Sequence, residues 1–204
     1  DASVVPNGIS SVSPRSVDEI RRRWGLEEGS YLLYLGRIVP EKRPELLLEA
    51  FRGLETGKRL VIAGGASDTS GYLSEVEELA ARDPRVIMTG FVEGELLEEL
   101  YSNACLYVLP SDVEGMPMSL LEAMAHGRCC VTSDIPECSD VLAGIGATFP
   151  KGDVTALRGV LAALLADPAR ADALGKAALK RVDAEFDWDV VAKMTLGVYQ
   201  GEKI

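Results

Sequence analysis

The sequence predicts a doubly wound α/β domain: a parallel sheet of about six strands, helices on both faces, and further helices at the C-terminal end. Three observations predict it. Short apolar runs alternate with amphipathic helical segments over most of the chain. The runs are apolar at successive positions, as in strands buried on both faces. The connections are short, and strand–helix–strand crossovers are right-handed, so few topologies remain.

Taken in order, residues 1–30 read as the end of a linker and a lead-in helix, and residues 31–204 as the domain. YLLYLGR (31–37) is a strand, and PELLLEAFRGL (44–54) is a helix with Pro44 in its first turn. RLVIAGG (59–65) is a strand, followed by the helix GYLSEVEELAARD (71–83). RVIMTG (85–90) and GELLEELYSNA (94–104) repeat the pattern, as do CLYVLPS (105–111) and MSLLEAMAHG (118–127). Pro117 opens that last helix and Gly127 closes it as a left-handed cap. RCCVTS (128–133) and GATF (146–149) complete the strands, and residues 153–166, 168–182 and 187–199 are helical. In such sheets ligands gather outside the carboxyl ends of the strands, near a topological switch. The informative loops are therefore 36–44, 64–71, 90–94, 110–118 and 133–140.

The chain has 204 residues, 47% of them hydrophobic and 26% charged, which predicts a packed core. The net charge of -11 argues against a nucleic-acid partner, whose backbone needs a basic face. An acidic protein that binds phosphate must do so with a few placed cations and backbone N–H groups. No run approaches ~18 apolar residues, so no transmembrane segment is expected. The opening DASVVPNGIS carries no signal-peptide pattern and reads as a chain entered partway. Cys105, Cys129, Cys130 and Cys138 show no metal spacing and read as reduced, buried thiols of a cytosolic protein, with a reactive Cys138 left open. No metal site is expected. His126 reads as a cation at a helix C-terminus, favoured by the dipole there. Trp24 and Trp188 read as packing anchors.

Two segments concentrate chemistry. Gly36-Arg37-Ile38-Val39-Pro40-Glu41-Lys42-Arg43 gathers cations just before a helix, where the dipole disfavours them. One reading has Glu41 and Glu45 neutralise them on a solvated surface. The other has Arg37, with its planar fork, and Lys42, a point charge, grip a diphosphate from two sides. The second segment runs from Pro110 to Gly127. Gly115 lets backbone approach a ligand, and the helix start at Met118-Ser119 presents free amides toward the carboxyl edge of the sheet. Ser119, Glu122 and His126 form a polar stripe on an otherwise apolar helix. Glu122 is then either on a solvated face or a desolvated carboxylate in need of donors, such as a ribose diol. Glu114 lies in the same mouth and suits the hydroxyls of a second sugar.

The order Gly-Arg…Glu-Lys, then Glu114-x7-Glu122 written as EGMPMSLLEAMAHG, resembles the family-4 retaining glycosyltransferases of the GT-B fold. The opening VPNGIS and the late FDW fit the same family, and the resemblance covers essentially the whole chain. It implies the nucleotide-sugar-binding, C-terminal half of a two-domain enzyme, with the N-terminal acceptor domain absent. It implies Arg37, Lys42 and Glu114 as the catalytic residues, moving a hexosyl group from a nucleoside-diphosphate sugar such as a UDP- or GDP-sugar to an acceptor hydroxyl. Gly36, Arg37, Lys42, Gly65, Val92, Glu114, Gly115, Met118, Ser119 and Glu122 would hold the donor. The amides of Met118 and Ser119 would meet the diphosphate, Glu122 the ribose, and backbone around Val92 the base. Gly64 and Gly65 would keep the cleft floor low.

The resemblance implies no cofactor and no metal. The acceptor is a glycan, a lipid or a small molecule. The location is cytoplasmic, or the inner face of the membrane in the full-length enzyme, and the fragment alone is expected to be inactive. The family's small-Pro-Val-Val run is replaced here by Arg128-Cys129-Cys130-Val131, and its Gly-rich turn by Ser133-Asp134-Ile135-Pro136-Glu137. The alternatives are a GT-B nucleotide-sugar epimerase, a sugar phosphorylase half, or a non-catalytic nucleotide-sugar-binding module. An NAD-dependent oxidoreductase would need GxGxxG after the first strand, where only Gly36 stands.

Overall fold

A computed structural model describes residues 5–65 and 70–201. Each predicted apolar run forms a strand: β1 Tyr31–Leu35, β2 Arg59–Ala63, β3 Val86–Gly90, β4 Leu106–Leu109, β5 Cys129–Ser133 and β6 Ala147–Phe149. All neighbours are parallel, in the order β3-β2-β1-β4-β5-β6. The chain starts at the centre, builds outward through β2 and β3, then returns to the other side of β1 and builds outward again. The direction of winding reverses between β1 and β4, and sheets of this kind place their ligands outside the carboxyl ends at such a switch.

Alternation along the strands feeds two cores. Leu33, Val61, Tyr107, Leu109 and Cys130 point to one face. Leu32, Tyr34, Leu60, Ile62, Val108 and Val131 point to the other. All are at most 1% exposed, and each fully buried aliphatic side chain stabilises the fold by about 1.5–3 kcal/mol. The first face is covered by α1 (Glu19–Trp24), α4 (Gly94–Asn103), α5 (Met118–Ala125) and α6 (Pro136–Leu142). The second is covered by α2 (Pro44–Arg52), α3 (Ser70–Ala80) and α7 (Val154–Ala166). Two more helices, α8 (Pro168–Glu185) and α9 (Trp188–Tyr199), close the chain. Among the described residues, no helix is long and apolar enough to cross a membrane.

The cap predicted after α5 forms. Gly127 has φ 68, its N–H donates to Met124 O, and the Arg128 N–H donates to Ala123 O. The lead-in helix is packed in rather than loose. Ile20 is fully buried, and the Glu99 carboxylate of α4 accepts the amides of Asp18, Glu19 and Ile20 at the start of α1. Trp24 packs against the first core, whereas Trp188 is 51% exposed and lies flat against Gly8.

One expectation needs correction. Only Asp134 and Ile135 connect β5 to the next helix, because Pro136 starts α6. Cys138 therefore sits inside a helix, fully buried, and burial pushes its thiol up to about 12. A reactive thiol needs access and a depressed pKa, and Cys138 has neither.

Candidate functional site

The loops after β1 and β4 meet where the winding reverses. After β1 the chain passes Gly36 and Arg37, makes a 3-10 turn over Pro40–Lys42, and reaches Arg43 with φ 53 before Pro44 opens α2. After β4 it passes Ser111, Asp112 and Glu114 before Pro117 precedes α5. The two loops are tied together. The Asp112 N–H donates to Glu41 O at 2.8 Å, and Arg43 Nη1 donates to Asp112 Oδ2 at 2.7 Å. Arg43 Nε also donates to Glu45 Oε1 at 2.6 Å. The two carboxylates and the left-handed backbone explain one another: a non-glycine residue at positive φ is held there by what its side chain grips.

Lys42 and Glu114 come into direct contact. Lys42 Nζ donates to both carboxylate oxygens at 2.6 Å, and Ser111 Oγ donates to Oε1 at 2.6 Å. The lysine is therefore not spent on Glu41 or Glu45, as a solvated surface would have it. Arg37 sits at the rim. Its side chain is 64% exposed, its nearest carboxylate is Glu41 at 4.0 Å, and the Tyr34 hydroxyl anchors its backbone carbonyl.

The floor between the strand ends is glycine. Gly36 N donates to Ala63 O, Gly64 N to Gly90 O, and Ile38 N to Gly65 O. The close approach falls on Gly64: its φ is 141, and a Cβ there would stand 1.8 Å from Gly36 O. Gly65 has room, its nearest neighbour being Phe91 Cβ at 3.9 Å, and Gly115 opens on space.

The first turn of α5 lies beside this floor. The amides of Leu120 and Leu121 bond back to Pro117 O, leaving those of Met118 and Ser119 ahead of them at the helix mouth. Tyrosines hold this helix in place. The Tyr107 hydroxyl donates to Ser119 Oγ at 2.8 Å, and its oxygen lies 3.3 Å from Leu35 O of β1. The Tyr101 hydroxyl donates to Glu122 Oε2 at 2.7 Å. Burial raises the Glu122 carboxyl above the ordinary range, and the Tyr101 bond opposes that rise. A crevice of about 500 Å³ lies along Glu122, Tyr101, His126, Gly94 and Leu97, beneath the segment Ile9–Ser13. In the loop after β3, Val92 is buried and Phe91 is 76% exposed.

His126 is not a cation. It is 6% exposed, stacked on Tyr101 and bonded through Nδ1 to Ser102 Oγ. Burial, with Arg128 nearby, lowers its pKa to about 4, so it is neutral at physiological pH. The dipole argument fails because desolvation of the imidazolium outweighs it. A separate cavity of about 390 Å³ lies at the opposite, amino end of the sheet, around Lys58 and Arg128. Both cations already donate to backbone carbonyls there.

Sequence reasoning singled out Lys42, Glu114 and Glu122, but not Tyr101, Tyr107, Ser111 or the Arg43–Asp112 tie. Tyr107 sits in an apolar strand run and Tyr101 on an amphipathic helix, and in both places an aromatic reads as core. Only the fold shows that their hydroxyls reach the site.

Known proteins are similar to this chain in sequence and in fold. The family described as "Glycosyl transferases group 1" matches residues 16–181. The alpha-maltose-1-phosphate synthase of Mycobacterium tuberculosis is 31% identical over 217 residues, covering 97% of this chain and 56% of that protein. The D-inositol 3-phosphate glycosyltransferase of Xylanimonas cellulosilytica is 34% identical over 187 residues, covering 88% and 44%. Among solved structures, Anabaena HepE in complex with UDP and glucose superposes with TM-score 0.88 at 18% identity, over 98% of this chain and 57% of that one. Sucrose-phosphate synthase from Thermosynechococcus elongatus gives TM-score 0.84 at 28% identity, over 97% and 51%. The chain spans about half the length of the curated relatives it matches.

Proposed function

The chain belongs to the group 1 glycosyl transferases, and from that premise we propose that its crevice binds a nucleoside-diphosphate sugar for retaining transfer of a hexosyl group to an acceptor hydroxyl. The fold matches one half of GT-B structures, so the acceptor would be held by a second, N-terminal domain. The observation that carries the reading is the meeting of Lys42 and Glu114 at the switch between β1 and β4. One is a cation suited to phosphate, the other a carboxylate suited to hydroxyls, and they belong to different loops.

In this reading Arg37 and Lys42 take the diphosphate, together with the free amides of Met118 and Ser119 at the start of α5. Glu122 accepts the ribose diol, and Glu114 the hydroxyls of the transferred sugar. The backbone at Val92 meets the base. Gly36, Gly65 and Gly115 let main chain come close to the donor. When the glycosidic bond breaks, negative charge builds on the leaving diphosphate. A helix N-terminus and two cations oppose that charge without reorganising, and preorganised electrostatics of this kind supply much of the rate enhancement in many enzymes.

The base, the sugar and the acceptor are specific to the full enzyme. HepE has been captured with UDP-glucose, which makes UDP and UDP-glucose the first ligands to try. The test is thermal unfolding of the chain with UDP, GDP and ADP and their sugars. A ligand that binds only the folded state raises the melting temperature by mass action, and the largest shift identifies the base. A flat response to every nucleotide at millimolar concentration would exclude the reading.

A further inference from the structure

Lys42 and Glu114 are assigned above to different parts of the donor, yet in the unliganded chain each is the other's partner. Lys42 Nζ donates to both carboxylate oxygens at 2.6 Å, and among the described residues the remaining donor to that carboxylate is Ser111 Oγ, also at 2.6 Å. The pair is nearly out of water, with side-chain exposures of 14% and 5%. The loops that carry it are clamped by the Arg43–Asp112 bridge and by the Asp112 amide on Glu41 O. The pair is therefore opened by movement of the side chains, not by parting of the loops.

We propose that this ion pair makes the site select the whole nucleotide sugar over the bare nucleoside diphosphate. The inference rests on the donor-site reading above. A diphosphate that draws Lys42 away leaves Glu114 buried with Ser111 alone, and a buried carboxylate stripped of its cation is strongly unfavourable. Hydroxyls of a bound hexose supply donors in place of the ammonium, so the exchange is uphill for the bare diphosphate and compensated for the nucleotide sugar. After transfer the sugar has left. Glu114 then recovers Lys42, and the grip on the product diphosphate weakens. The same pair thus favours entry of the donor and exit of the product.

The test is calorimetric titration of the chain with UDP and with UDP-glucose, or with the corresponding GDP or ADP pair if that base gives the larger thermal shift. Glu114→Gln frees Lys42. It is expected to bind the bare diphosphate about tenfold tighter than wild type and to lose the preference for the nucleotide sugar, as expected from one charge-assisted bond. Ser111→Ala leaves the ion pair in place but removes the donor that remains on Glu114. It is expected to weaken the bare diphosphate by roughly threefold and the nucleotide sugar less, and it decides the matter if Glu114→Gln fails to fold. Bare-diphosphate affinity that is no higher in Glu114→Gln and unchanged in Ser111→Ala overturns the exchange. Lys42→Met separates the two levels. If it weakens the nucleotide sugar while the other variants behave as wild type, the donor site stands and the exchange falls. If it leaves nucleotide-sugar affinity unchanged, the donor site itself falls.

Discussion

Burial of the Glu122 carboxylate works against its charged form, a cost that the hydroxyls of a bound donor would offset in the proposed reading. It is half-buried on α5, its Oε2 accepts from Tyr101, and burial raises its carboxyl pKa above the ordinary 4.5. A raised folded-state value means that the native chain binds the proton more tightly than the unfolded chain. Stability from this group is therefore greatest at low pH and falls as pH rises from the unfolded value through the raised one. Burial disfavours the charged form of this carboxylate, and the Tyr101 hydroxyl opposes that effect by donating to it. Glu122→Gln removes the charge and still accepts from Tyr101. We expect it to raise the melting temperature of the unliganded chain at pH 7 by roughly 1–3 °C, the scale of a gain below 1 kcal/mol in a chain of this length. The same variant should lose most of the nucleotide-induced thermal shift if the ribose diol supplies the missing donors. A less stable variant that binds nucleotide as before would make Glu122 a structural residue. The sequence pattern could show a lone carboxylate in an apolar helix. It could not show Tyr101, because a tyrosine seven residues into an amphipathic helix has no local sign that its hydroxyl crosses to the next helix.

At the scale of elements, strands were the most legible part, because a strand buried on both faces leaves an uninterrupted apolar run that no amphipathic helix mimics. The short helix α6 was missed. It has seven residues, less than two full turns, and only Cys138, Val141 and Leu142 are buried, too few for a period to register. Its start is set by Pro136, which reads equally as a turn. The capping of α1 by Glu99 was also invisible, since the partners lie about eighty residues apart. The glycines after β2 were legible as a pair, and the fold divides their roles. At Gly64 a methyl group would collide with the Gly36 carbonyl at 1.8 Å, and the backbone has φ 141. Gly64→Ala must therefore push apart the ends of β1 and β2, and a loss of about 2–4 kcal/mol is expected. The loop carrying Arg37 and Lys42 begins at Gly36, so nucleotide binding should fall as well. Gly65→Ala, with its nearest neighbour at 3.9 Å, should be within about 0.5 kcal/mol of wild type. Urea unfolding of the two variants checks this, and equal midpoints would mean that the close approach does not shape the floor.

For the molecule as a whole, the proposed reading makes the site one half of a cleft. Its rim carries Phe91, Val113 and Met118, which are 76%, 61% and 37% exposed. Exposed apolar groups around a polar floor are what a cleft presents when its facing wall is not part of the chain. The relatives it matches are about twice as long, which accords with a second wall in those proteins. Binding and transfer place different demands on such a half-site. In the proposed reading, nucleotide binding uses Lys42, Arg37, the α5 amides and Glu122, all of which lie in this chain. Transfer also needs the acceptor oxygen held near the anomeric carbon and water kept out, and orientation of that kind accounts for about 7–11 kcal/mol of a barrier in well-aligned systems. We therefore expect the 204 residues to show a melting temperature that climbs with the logarithm of nucleotide concentration. We also expect no transfer of sugar to acceptors of the kinds that the longer relatives would use. A coupled assay for released nucleoside diphosphate, run with and without acceptor, measures both hydrolysis and transfer. Acceptor-dependent release from this chain alone would mean that the site around Lys42 and Glu114 already contains everything the reaction needs, and the role given to a second domain would have to be abandoned.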